Sequence, residues 1–226
     1  MITSAANPTL KLVRKLLAQK RKREELGLFV AEGEELVDAA RAAGIEPTEL
    51  LVAGETVAPE LLAELSTLAH PARVVGVFRT QDLPSEERDV TLALWQVGDP
   101  GNVGTLLRTA DAFGAAVALS AGCADPLAPK ALRASAGAVF RVPLVAFDGA
   151  QGRRIALVAH GGAPLRHVDL AGPVVFLLGA ERAGLPEELI AGSDELATIE
   201  LPGAAESLNV AAAGAVALYE RHCRQV

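Results

Sequence analysis

The chain reads as an α/β protein in two parts, a small N-terminal layer fold followed by a domain built on a parallel sheet. Three observations predict this. Short apolar runs alternate with amphipathic stretches of helical length from end to end. In the second half the runs are apolar at nearly every position, as at residues 90–97 and 174–178, the pattern of strands covered on both faces. Three of the turns that follow such runs are rich in Gly, Pro and Asn, the residues that end a strand and open a helix.

Taken in order, Asn7 is placed to cap a first helix and Pro8 suits its first turn. Leu10, Val13, Leu16 and Leu17 recur at helical spacing, predicting one amphipathic helix that runs on to Gly27. Residues 28–31 predict a strand, and Glu32-Gly33 a turn into a helix through Leu36, Ala39 and Ala40 to Gly44. A strand over 48–53, a helix over 59–68 and a strand over 74–78 complete the first part. Residues 81–89 are polar, hold a Pro and lack apolar periodicity, which places a boundary there and divides the chain into 1–84 and 85–226. The second part reads as a strand over 90–97, a helix over 102–113, a strand over 115–119 and a small-residue stretch at 130–140. Strands follow over 142–147, 155–159, 174–178 and 196–201. Pro202-Gly203 stops the last of these, and Ser207 and Asn209, both good N-cap types, stand before an Ala-rich helix.

The chain has 226 residues, half of them hydrophobic, enough to bury a real core and too apolar for extensive disorder. No apolar run reaches the ~20 residues of a membrane span, and the N-terminus lacks the pattern of a signal peptide. Cys123 and Cys223 form no CxxC pair, and His70, His160, His167 and His222 show no metal-ligand spacing. A cytoplasmic, metal-free chain is expected. The net charge of −7 argues mildly against a nucleic-acid partner. However, Lys11, Arg14, Lys15, Lys20, Arg21, Lys22 and Arg23 form an uninterrupted basic cluster that is either a phosphate-binding surface or a solvated helix face.

Three loops carry candidate chemistry, each with a purely structural alternative. Residues 98–114, GDPGNVGTLLRTADAFG, set Asn102 and Arg108 six apart, ~120° round a helix of 3.6 residues per turn. Alternatively Asn102 caps that helix and Arg108 pairs with Asp111. The glycine-rich turn also invites a dinucleotide-binding reading, though the spacing is GxxGxxG and Pro100 removes a donor. Residues 174–186, VVFLLGAERAGLP, set Glu181 just beyond a five-residue apolar run, where a buried carboxylate would need a partner such as Arg182. Residues 199–219, IELPGAAESLNVAAAGAVALY, hold Ser207 and Asn209; a cap explains the first but not why the second follows.

In order and spacing, these three segments resemble the three motifs of the SpoU (TrmH-type) branch of the SPOUT RNA methyltransferases, over about the last 140 residues. Residues 29–37, FVAEGEELV, look like the small α/β substrate-binding domain that precedes the catalytic domain in many SpoU enzymes and is related to RNA-gripping ribosomal proteins. The resemblance implies a C-terminal parallel-sheet SPOUT domain with a deep trefoil knot, a homodimer, S-adenosylmethionine as cofactor, and methyl transfer to a ribose 2′-hydroxyl of structured RNA, ribosomal rather than transfer RNA. It assigns catalysis to Asn102, Arg108, Glu181, Ser207 and Asn209, with Arg108 often serving the neighbouring subunit's site. It assigns the cofactor to Leu178, Gly179, Ala180, Gly184, Ile199, Leu201 and Leu208. Arg14, Lys15, Arg21, Lys22 and Arg23 are the expected RNA contacts. Two departures stand out: Ala180 where the family more often has Asn or Ser, and Glu200 where it usually has Pro. They motivate a second reading, an RNA-binding protein without catalysis; a dinucleotide-dependent oxidoreductase is the third.

Overall fold

The computed structural model describes residues 1–224. The first part comprises α1 (Pro8–Ala18), α2 (Lys20–Leu26), β1 (Leu28–Glu32), α3 (Glu34–Ala42), β2 (Glu49–Val52), α4 (Pro59–Ala63) and β3 (Val74–Arg79). Its sheet is antiparallel in the order β1-β3-β2, with Phe29 opposite Phe78 and Leu50 opposite Gly76.

Two helices differ from expectation, each for a visible reason. The single helix predicted to run to Gly27 is broken at Gln19, which is extended at φ −129° and ψ 110°. The carbonyls this strands near the end of α1 are met by Arg23, whose guanidinium donates to Leu16 O and Leu17 O. The helix predicted over 59–68 stops at Ala63. Beyond it, Ser66 and Thr67 turn inward so that both hydroxyls and the Thr67 N–H donate to the carboxylate of Glu32, which is buried at the end of β1.

The second part comprises β4 (Val90–Leu94), α5 (Pro100–Ala112), β5 (Ala116–Leu119), α6 (Pro129–Ser135), β6 (Leu144–Ala146), β7 (Arg153–Leu157), β8 (Ala163–Pro164), β9 (Val174–Leu178), α7 (Glu187–Ala191), β10 (Glu195–Thr198) and α8 (Val210–Cys223). The seven strands form one parallel sheet in the order β6-β5-β4-β9-β7-β10-β8. The two central strands, β4 and β9, are buried along their whole length. Side chains alternate across them: Leu92, Leu94 and Phe176 enter a large core with Leu106 and Leu218, while Ala93, Val175 and Leu177 pack on the opposite face. The stretch at 130–140 is helix only to Ser135. Ala136 and Gly137 are left-handed, and a short 3-10 turn follows at Ala138–Phe140.

Residues 83–89 connect the two sheets without regular structure, yet the two parts share a core, which Leu83 joins. Phe29 and Phe78 of the first meet Phe140 of the second at ring separations of 5.9 and 5.3 Å. Leu132 and Val139 join the same cluster.

Candidate active site

Because β4, β9 and β10 run parallel, their carboxyl ends open on one edge of the sheet, where ligands of open α/β folds bind. The three loops singled out in the sequence leave from these ends. In the first, Asp99 caps α5: its Oδ1 accepts from the N–H groups of Gly101 (2.5 Å) and Asn102 (3.2 Å). Those N–H groups hold the Asp99 carboxyl below its ordinary range, helped by Lys130 at 3.4 Å. With Asp99 as the cap, the side chain of Asn102 is released for another partner.

That partner lies on the second loop. Asn102 Nδ2 donates to Glu181 Oε1 at 2.9 Å, and the backbone N–H groups of Gly98 and Asp99 reach the same carboxylate at 3.4 Å. From the third loop, Asn209 caps α8 through Oδ1, and its Nδ2 donates to Asn102 Oδ1 at 3.1 Å. Asn209, Asn102 and Glu181 are thus joined in one polar chain although 107 and 79 residues separate them in sequence. Partial burial pushes the Glu181 carboxyl up, but the Asn102 amide and the surrounding backbone N–H groups outweigh it, and the net shift is downward.

Beside this chain lies a cavity of about 330 Å³. Leu178, Gly179, Ala180 and Gly184 line it from the second loop, and Ile199, Leu201, Ser207, Leu208 and Asn209 from the third. Its walls are apolar and its rim carries Glu181, Arg182 and Glu206. A flat apolar group with a charged tail suits such a space. A shallower groove adjoins it through Ala180, Glu181, Arg182 and Asn209, and extends over Asn102, Thr105 and Gln96.

Several expectations change. Arg108 is exposed on α5 and lines neither space; Asp111 is engaged by Arg141, at 2.6 Å, rather than by Arg108. Glu181 is held by Asn102 and backbone rather than by Arg182. Ser207 lines the cavity but does not cap α8, which begins three residues later at Val210 with Asn209 as its cap. Arg23 was expected to contact RNA, but its side chain is 6% exposed and makes a 2.6 Å ion pair with Asp125, so it is committed to the interior. Arg14 and Lys15 are exposed on α1, while Arg21 and Lys22 both pair with Glu25 on the surface of α2. Glu200 does not line the cavity and pairs with Arg166. Ala180 lines the cavity, and its backbone exchanges hydrogen bonds with Gly184 across the turn. Sequence reading missed Asp99 as the cap, although Asp before Pro at a strand-to-helix turn is a recognisable cap signal. Glu206 on the rim carried no such signal.

The dinucleotide alternative fails on the same geometry. The N–H groups at residues 98, 99, 101 and 102 that would cradle a pyrophosphate already serve Glu181 and Asp99. Among the described residues, no helix is long and apolar enough to cross a membrane, and no group of three or more His, Cys, Asp or Glu is placed to hold a metal.

A parallel sheet with three converging loops, a polar chain and an adjoining cavity at its carboxyl edge defines a ligand-binding α/β domain, and comparison with known proteins narrows the class. The SpoU rRNA Methylase family model matches residues 89–219, and an MRM3-like substrate binding domain matches 7–81. The 23S rRNA (guanosine(2553)-2′-O)-methyltransferase RlmP of Bacillus subtilis is 32% identical, over 96% of this chain and 97% of its own. A 23S rRNA (uridine(2479)-2′-O)-methyltransferase of Streptomyces viridochromogenes is 31% identical over 91% and 86%. An AdoMet-bound rRNA methyltransferase from Sinorhizobium meliloti superimposes with a TM-score of 0.87 at 32% identity, covering 100% of this chain and 98% of that one. The chain belongs to the SpoU rRNA methylase family.

Proposed function

We propose that this protein methylates a ribose 2′-hydroxyl of ribosomal RNA with S-adenosylmethionine as donor. The observation that carries this reading is the Asn209–Asn102–Glu181 chain, which ties all three loops together at the mouth of the cavity. The cavity suits the cofactor: Leu178, Ile199, Leu201 and Leu208 offer apolar walls to an adenine, and the carboxylates of Glu181 and Glu206 stand at the rim toward cationic groups. When bound, S-adenosylmethionine supplies a methyl group already activated by its sulfonium sulfur, so positioning supplies much of the acceleration. Asn102, Ser207 and Asn209 orient Arg108 and the ribose, and Glu181 holds the local charge balance. A guanidinium offers N–H donors and no acceptor, which suits Arg108 to a clamp rather than to a base. It clamps a phosphate and polarises the hydroxyl, and its outward position suits service to the neighbouring site of a homodimer.

Arg14 and Lys15, with Arg21 and Lys22 beside them, supply the RNA-facing charge of the first part in the cytoplasm. The trefoil knot belongs to the same reading. It is supported by β10 lying between β7 and β8, which are consecutive in the chain, and by the tight approach of the connecting loop, where a Cβ on Gly162 would stand 2.7 Å from the Ala197 backbone.

Titration calorimetry with S-adenosylmethionine beside NADH, followed by primer-extension mapping on ribosomal RNA, tests the proposal. Heat with S-adenosylmethionine alone and a new stop at one ribose are expected. Heat with NADH alone, or cofactor binding with no methyl transfer to any ribosomal transcript, overturns it.

A further inference from the structure

Gln96 stands on the turn between β4 and α5 with φ +51°, one of two non-glycine residues of the described chain in the left-handed region. Glycine takes that conformation without strain, whereas a residue with a Cβ is held there only by its surroundings. Those surroundings are specific. The Gln96 N–H donates to Ser120 Oγ at 2.9 Å, and the Ser120 hydroxyl donates in turn to Ala121 O at 3.1 Å. Gly122, itself at φ +91°, lies so close beneath the side chain that a Cβ there would be 3.2 Å from Gln96 Cγ. On either side, Trp95 N–H is bonded to Leu178 O, and Val97 is fully buried and accepts from Ala124 N–H. The backbone is thus held at Gln96 and on both sides of it, and its side-chain amide is not. That amide is exposed, makes no hydrogen bond among the described residues, and lines the groove shared by Asn102, Glu181, Arg182 and Asn209.

Resting on the methyltransferase reading, we propose that Gln96 reads the base of the nucleotide whose ribose is methylated. A primary amide offers donors and an acceptor side by side, matching the alternating edge of a nucleobase. A phosphate offers acceptors only and is better met by arginine. The ribose is engaged by the neighbouring asparagines, so the next group of the same nucleotide within reach of the groove is its base. Sequence-specific recognition of RNA is directed at unstacked nucleotides of loops and bulges, whose base edges are open to be read.

The test uses the full chain, S-adenosylmethionine and ribosomal RNA transcripts that carry each of the four bases at the methylated position. Gln96→Gly removes the amide while relaxing the backbone, and Gln96→Glu keeps the stem but replaces the donor by an acceptor. The wild type is expected to prefer one base. Both variants should lose roughly ten- to hundred-fold in kcat/KM on that base and rank the four bases differently from wild type, while S-adenosylmethionine Kd stays within about two-fold. A wild type indifferent to the base, or variants that keep its ranking and rate, would sink the proposal while leaving methyl transfer standing. A wild type that binds S-adenosylmethionine but methylates none of the transcripts would overturn both readings together.

Discussion

The side-chain oxygen of Asn209 is engaged by the N–H groups of Ala211 and Ala212, so its amide nitrogen is the group left to face Asn102. Asn102 must therefore present its oxygen to Asn209 and its nitrogen to Glu181, and the Glu181 oxygens meet donors on every side. Only an ionised carboxylate satisfies that arrangement. In Glu181→Gln, whichever way the new amide turns, its N–H₂ opposes either Asn102 Nδ2 together with the Asp99 N–H, or the Gly98 N–H. We expect a loss of methyl transfer of roughly ten- to hundred-fold, the range for a hydrogen bond to a charged group, with the fold retained by circular dichroism. The Glu181 carboxyl is held below its ordinary value of 4.5. Its contribution is therefore fully present above about pH 4.5 and fades as pH falls through the lower folded value. Thermal midpoints of wild type and Glu181→Gln should accordingly differ near neutrality and converge in acid. A gap that widened on acidification would contradict the assigned charge state.

Helix α5 positions Asn102, and α5 is itself positioned by what it lacks. A Cβ on Gly104 would lie 2.5 Å from the Ala131 carbonyl and from the Ala134 Cβ of α6, and one on Gly214 of α8 would lie 2.5 Å from Leu106 of α5. Gly104→Ala should destabilise the protein by about 1–3 kcal/mol through overpacking, despite alanine's better helix propensity. Urea denaturation reads this directly, and a stabilised variant would mean that α5 and α6 can slide apart freely. At this scale the sequence was most informative where local chemistry decides. The apolar runs of β4 and β9, the Asn7-Pro8 start and the strand-to-helix loops all follow from patterning. It was least informative where a distant partner decides. Nothing near Gln19 or Ser66 announces a helix end; the ends arise because Arg23 accepts the stranded duty at Leu16 and Leu17, and because buried Glu32 draws Ser66 and Thr67 away. For the same reason Arg23 reads as one more surface cation, its partner Asp125 lying 102 residues away, whereas the Asp99 cap is decided by its own turn. The two-residue β8 and the five-residue α7 are too short to carry a period.

Across the whole molecule, the RNA contacts proposed for the first part can serve a site in the second only if the two parts hold a fixed relation. Beside the hydrogen bond from Arg133 to Thr67 Oγ1 at 3.0 Å, two ties lie in the interior. One is the ion pair of Arg23 with Asp125, whose side chains are 6% and 12% exposed. The other is the ring cluster of Phe29, Phe78 and Phe140, with Phe140 the single contribution from the second part. Removing that ring by Phe140→Ala should cost about 3–5 kcal/mol, and the manner of unfolding tells more than the size of the loss. Trp95, the one tryptophan, packs edge-on against Phe147 in the second part, so its fluorescence follows that part alone, whereas far-ultraviolet dichroism follows both. In the wild type the two signals should change together, as a single cooperative unit requires. In Phe140→Ala they should separate, the fluorescence midpoint and the dichroism midpoint no longer coinciding. Coincident curves in the variant would mean that the ion pair and the remaining interface couple the two parts without the ring, and that the aromatic cluster contributes stability but not the alignment on which RNA delivery to the site depends.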